Sequence, residues 1–210
     1  MTAPTPPGRR RLVGLSSKMY FSLDQTRDYT ADLLTRLAAL PPSDLSSIDI
    51  FILPDFLTVP STAAQVRASS SPVWVGAQDC HWEDRGAFTG EVSPAALAAA
   101  GARIVAVGHA ERRRLFAEDD ALVLAYEPVW AIGAAQPAGD AHVLAVVAGL
   151  RALDCVQGRS GTTRIVYGGS AGPGLFERLK TGLDGLFLGR FAHDPERFVQ
   201  TVKEVAEAEV

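Results

Sequence analysis

Cysteine is scarce in this chain. Cys80 and Cys155 are the two present among 210 residues. They are too few for a disulfide framework, so a reducing compartment, the cytoplasm, is the expected setting. No apolar run approaches the roughly 20 residues that a membrane-spanning helix needs, so no membrane partner is expected. Positive charge is not in excess either. The formal net charge is -4, which argues against nucleic acid as a partner, because phosphate backbones call for a basic face. The run Arg9-Arg10-Arg11 is too short to reverse that balance. A G-x-G-x-x-G signal after the first apolar stretch is missing, which argues against an oxidoreductase with a dinucleotide cofactor. Cys80 and His81 are adjacent with no second pair, so no metal site is expected. The opening MTAPTPPGRRR lacks the apolar core of a secretory signal and reads as a disordered tail over residues 1–11.

What is present suits one domain over residues 12–210. The apolar share of 47% and the charged share of 21% are ordinary for a globular core with a solvated surface. Seven short β-prone runs follow one another, mostly separated by helical spacing. The strands are expected at 12–15, 48–53, 73–77, 103–107, 122–126, 164–167 and 186–188. Helices are expected at 24–40, 61–69, 140–153, 173–179 and 194–208, with another begun by Ser93-Pro94. Asp194 is placed as an N-cap before Pro195. Strict strand–helix alternation argues a parallel sheet with helical cover.

Polar residues and glycines gather where these strands end. Lys18 follows the first, His109 the fourth and Glu127 the fifth, and Gly168-Gly169-Ser170 and Gly189-Arg190 follow the last two. Catalytic candidates at several strand ends favour a barrel-derived fold over a doubly wound sheet, because barrel active sites sit at that face. The most telling stretch is LVLAYEPVWAIG, Leu122 to Gly133. It is a buried strand running into one carboxylate, stopped by Pro128 and continued as an aromatic loop. A carboxylate held there under an apolar loop suits a general base, since burial raises its pKa toward neutrality.

The motifs SKMYF at Lys18, GAQD at Gln78, GAFTGE at Thr89, VGHAERR at His109, AYEPVWAIG at Glu127, YGGS at Ser170 and DGLFLG at Gly189 occur in this order. With them the chain resembles the triosephosphate isomerase family along nearly all its length. The resemblance implies interconversion of dihydroxyacetone phosphate and glyceraldehyde 3-phosphate through an enediolate, with no cofactor; that reaction serves as a standing illustration of tuned acid–base catalysis. It implies Glu127 as the base, His109 as a neutral electrophile and proton shuttle, Lys18 as the cation beside the oxyanion, and Glu111 as a carboxylate near that lysine. It also implies phosphate binding by backbone N–H groups of Gly133, Ser170 and Gly189, a lid over Pro128 to Ala138, and a homodimer or other homo-oligomer engaging Thr89 and Glu91.

The chain departs from the pattern in four places. Ser16 stands where the family usually has Asn, and Arg190 where a second glycine usually follows Gly189. Ala135-Gln136-Pro137 replaces the usual Gly-Lys-Thr at the far end of the lid. The fourth departure is an omission. A barrel of this kind has about 250 residues and eight strand–helix units, yet only Arg112 to Ala121 separates the His109 segment from the next strand. The expected fold is therefore an α/β barrel derivative of about seven strands with the fifth unit missing, either closed on itself or left open with two free edges. Two functions follow from that: a shortened, active isomerase, or an inactive homologue that acts as an oligomerising or binding protein.

Overall fold

The computed structural model describes residues 10–109, 111–112, 124–158 and 163–208. Seven strands form one parallel sheet: β1 (Arg11–Ser16), β2 (Ile48–Leu53), β3 (Trp74–Ala77), β4 (Ile104–Val105), β5 (Leu124–Tyr126), β6 (Ile165–Tyr167) and β7 (Gly185–Leu188). Their spatial order is β4-β3-β2-β1-β7-β6-β5. This is the winding of a barrel that stops short of closure, for among the described residues β4 and β5 are not paired with each other. Of the two expected outcomes, the open sheet is the one found. The expected linker Arg112 to Ala121 lies, beyond Arg112, outside the described residues.

The helices lie on the outer face. They are α1 (Leu23–Ala38), α2 (Pro42–Ser47), α3 (Val59–Ala68), α4 (Pro94–Ala99), α5 (Asp140–Ala152), α6 (Asp154–Gln157), α7 (Leu175–Leu179) and α8 (Pro195–Glu207). Local chemistry starts them. Ser22 and Gln25 form a reciprocal capping box on α1, and Asp194 accepts the Glu196 N–H ahead of Pro195 on α8. The buried face of α8 is Phe198, Thr201, Val202 and Val205, a spacing that only a helix turns to one side. Two short helices were not expected, α2 and α6. Pro41-Pro42 reads as a stop, but Pro42 instead occupies the first turn of α2, where its missing N–H has no partner to lose.

Both faces of the central strands are buried, as a helix-covered parallel sheet requires. One face joins Val13, Leu15, Ile50 and Ile52 to the helices. The other fills the concave interior with Leu12, Phe51, Leu53, Val166 and Phe187. Of the tail expected over 1–11, residues 1–9 lie outside the described residues, and Arg10 and Arg11 are held by the fold. Arg11 opens β1 and donates to the Val205 carbonyl, while Arg10 pairs with Asp49 at 2.9 Å. No helix among the described residues is long and apolar enough to cross a membrane.

Candidate active site

All nine residues singled out at the strand ends line one cavity of about 550 Å³ at the C-terminal rim of the sheet. Lys18 sits just past β1 with φ +49°, a left-handed conformation uncommon for a residue with a side chain. Its backbone is held there. The Gln78 side-chain amide donates to the Lys18 carbonyl at 3.0 Å and to the Leu53 carbonyl at 3.1 Å, and Ser16 Oγ accepts the Lys18 N–H. The ammonium group reaches Glu111 Oε1 at 2.6 Å. Ser16 is buried at the cavity wall, and its hydroxyl oxygen accepts a hydrogen bond within its own turn.

His109 follows β4, and Glu127 follows β5. They come from opposite sides of the open seam, yet His109 Nε2 lies 3.5 Å from Glu127 Oε1. The Glu111 N–H donates to His109 Nδ1 at 3.2 Å. With Nδ1 accepting, the proton of a neutral ring belongs on Nε2, which is the nitrogen facing the cavity. Burial lowers the His109 pKa and the nearby Lys18 lowers it further, against a smaller opposing pull from Glu111, so the ring is neutral at neutral pH. Glu127 shows the complementary shift. Burial raises its pKa to about 7, with Lys18 opposing and Glu111 adding to the rise. A base poised near neutrality beside a neutral N–H donor is an acid–base pair for moving protons between adjacent carbons and oxygens.

The rest of the rim shapes this pair. Gly168 lies against Glu127: a Cβ there would stand 2.7 Å from Glu127 Cγ, so any side chain would push the base aside. The loop after Glu127 makes a short 3-10 turn at Val129–Ala131 with Val129 and Trp130 exposed, then bends at Gly133 with φ +69°. The loop is tied at several points. Ser170 N–H donates to the Ala131 carbonyl at 2.7 Å, its hydroxyl donates to the Ala134 carbonyl, and the Ala138 N–H donates to Tyr167 Oη at 2.9 Å. Arg190 lies over Gly133, with Nη2 3.4 Å from its carbonyl oxygen.

Sequence reading singled out neither Gln78, Tyr167 nor Gly168 for a role, although all three sit inside or beside the quoted motifs. Each acts through another residue, which is why residue type alone gave no signal. Tyr20, inside the SKMYF motif, also lines the cavity, as do His193 and Arg197, which belong to none of the quoted motifs. A second, mostly apolar cavity of about 430 Å³ opens at the seam beneath His109 and Glu127, walled by residues such as Phe51, Ile104, Leu124 and Phe187. The loop carrying Thr89 and Glu91 is exposed, with Trp82 and Phe88 flanking a buried His81 ring.

Comparison with known proteins bears on this geometry. The family model for triosephosphate isomerase matches residues 11–124 and again 120–205, two stretches that meet at the seam. The L-erythrulose-1-phosphate isomerase of Pectobacterium atrosepticum is 38% identical over 244 residues, covering 90% of this chain and 93% of that protein. That alignment is longer than the 210 residues of the chain, so part of the relative has no counterpart here. A second protein of that name, from Mycolicibacterium smegmatis, is 44% identical over 106 residues, 50% of this chain and 39% of its own length. The triosephosphate isomerase of Syntrophotalea carbinolica is 33% identical over 220 residues, with 77% and 86% covered. The strand ends, the order of their motifs and these matches agree, and the chain belongs to the triosephosphate isomerase family.

Proposed function

We propose that the protein isomerises a short ketose phosphate by proton transfer through an enediolate, with L-erythrulose 1-phosphate as its preferred substrate. The observation that carries the reaction class is the Glu127–His109 pair: a buried carboxylate with pKa about 7, 3.5 Å from a neutral imidazole. In the first step the Glu127 carboxylate takes the proton from the hydroxyl-bearing carbon next to the carbonyl. His109 Nε2–H and the Lys18 ammonium stabilise the negative charge that moves onto the carbonyl oxygen. His109 then passes a proton between the two oxygens, and Glu127 returns its proton to the former carbonyl carbon. The carbonyl thereby shifts by one carbon, with no net gain or loss of atoms. The phosphate binds at the end of the cavity walled by Gly133, Ser170 and Gly189, and a bond from the Ser170 N–H requires that group to leave the Ala131 carbonyl.

Triose and tetrulose phosphates share the unit from phosphate to carbonyl. They differ by one hydroxymethyl group on the reacting carbon. Identity to two proteins named for the tetrulose substrate supports the larger one, as does Ser16 in the cavity wall, a shorter side chain than the Asn the family usually places there. Moving the carbonyl of L-erythrulose 1-phosphate by one carbon gives another ketose, whereas the triose substrate gives an aldehyde. Dihydroxyacetone phosphate is the second reading, favoured by the matches to triosephosphate isomerases. The exposed Trp82 and Phe88 support pairing with a second copy through their loop, and the paucity of cysteine supports a cytoplasmic setting.

The test is the ratio of kcat/KM for the two substrates on purified protein. A ratio favouring the tetrulose phosphate by about tenfold or more, the scale of one well-accommodated substituent, supports this reading. A preference for the triose phosphate overturns the substrate assignment. Absence of turnover with either, in folded protein, returns the chain to the inactive homologue.

A further inference from the structure

Arg190 is the cavity's least engaged cation. Lys18 is paired with Glu111 at 2.6 Å. Arg197 lies 3.6 Å from Asp194 and over the Phe191 ring at 5.1 Å. Among the described residues Arg190 has no carboxylate within ion-pairing distance, and its one hydrogen bond is the 3.4 Å contact to the Gly133 carbonyl. That bond is long and its acceptor is neutral, so little is lost when a stronger acceptor replaces it.

The setting says what that acceptor is. Arg190 follows directly on Gly189 and shares a wall with Gly133 and Ser170. Part of the donor set at this end is already committed, because the Ser170 N–H and side-chain hydroxyl are given to lid carbonyls. Space is available beside Gly189, where a built Cβ meets nothing within 4 Å. At Gly133 the situation is reversed: the guanidinium stands 2.9 Å from where a Cβ would be, so it rests directly on the lid backbone. Guanidinium groups bind phosphate through paired, charge-assisted hydrogen bonds that a single long bond to a carbonyl does not match.

We propose that Arg190 is a phosphate-binding side chain, exchanging the Gly133 carbonyl for the substrate's phosphate dianion and thereby freeing the lid as the substrate arrives. The inference deepens the isomerase reading by assigning the phosphate end a side-chain cation in addition to backbone donors. It also predicts that anion binding and lid position are coupled through one residue.

The experiment is calorimetric titration of the full chain with inorganic phosphate, comparing the parent with Arg190→Gly, Arg190→Gln and Arg190→Lys. Loss of a charge-assisted contact weakens phosphate binding by about tenfold or more in the Gly and Gln variants, and by less in the Lys variant. In steady-state assays the KM for a ketose phosphate rises by a similar factor, with kcat changed less. Phosphate binding in Arg190→Gly as tight as in the parent, or tighter, means that the side chain merely crowds the site and overturns the proposal. The Gln variant separates charge from bulk: parent-like binding there overturns it as well. Calorimetry needs no turnover, so a protein inactive on every ketose phosphate still gives a readable answer.

Discussion

The two sides of this sheet are built differently. On one side β1 pairs with β2 at six positions, Arg11 with Ile48 through Ser16 with Leu53, and with β7 at four. Five of the six β1 residues and all of β2 and β7 are buried. On the other side β4 pairs with β3 at two positions and β5 with β6 at three, and every residue of β4 and β5 is only partly buried. The well-buried side holds Lys18 and Gly189. The thin side, flanking the seam, holds His109 and Glu127. In the proposed reaction, stability and proton transfer are thus drawn from different regions, and the candidate acid–base pair spans the place where the family's additional strand–helix unit is missing.

The largest expected effect tests whether the thin side is functional. Glu127→Gln removes the base and lowers turnover by on the order of 1,000-fold or more. Glu127→Asp withdraws the carboxylate by about 1 Å and lowers it by on the order of 100-fold, with the fold intact. A Glu127→Asp variant with full activity would show that another group is the base.

Stability gives the next contrast. Ile50→Ala in β2 removes a buried side chain and costs about 2–5 kcal/mol, whereas Ile104→Ala in β4 costs about 1 kcal/mol. Urea melts decide it, and equal losses would mean that the seam is as well supported as the centre. Amide exchange reads the same comparison without mutation: β4 and β5 amides exchange through smaller openings than those of β1 and β2.

Glu127 also links the site to stability through pH. Its folded pKa of about 7 lies above the reference 4.5, so the folded chain holds this proton more tightly than the unfolded chain does. The carboxyl's contribution is therefore intact below pH 4.5 and is lost as pH rises to about 7. Glutamine has no proton to lose. Glu127→Gln is expected to be more stable than the parent above pH 7, by on the order of 3 kcal/mol. Well below pH 4.5 the advantage vanishes. Turnover in the parent follows the opposite course, rising as pH climbs through about 7 and Glu127 ionises. The smallest effect belongs to Tyr167→Phe. It removes the acceptor for the Ala138 N–H, worth about 1 kcal/mol, and lowers kcat/KM by about fivefold.

Much of this architecture was legible because it rests on local patterns. The seven strands lie where short apolar runs meet glycine or polar residues, and β2 and α8 match their expected spans to within a residue. That the nine candidate residues share one cavity was legible because strand ends converge on one rim in a barrel winding. The state of the seam was not. Whether seven strands close depends on pairing between β4 and β5, a long-range matter that neither strand's own residues decide. The positioning of Lys18 by Gln78 and of Ala138 by Tyr167 was hidden for a similar reason, since each contact joins segments far apart in sequence. Proline misled at Pro41-Pro42, where the same ring that ends one helix suits the first turn of another.

The central claim is that His109 and Glu127 form a working proton-transfer pair across the open seam. The direct measurement is deuterium incorporation from heavy water into the reacting carbon of L-erythrulose 1-phosphate or dihydroxyacetone phosphate, followed by NMR with the parent and Glu127→Gln. The account predicts exchange in the parent and none above background in the variant. A folded parent that exchanges neither substrate would contradict it, and would mean that the residues meet across the seam without forming a competent site.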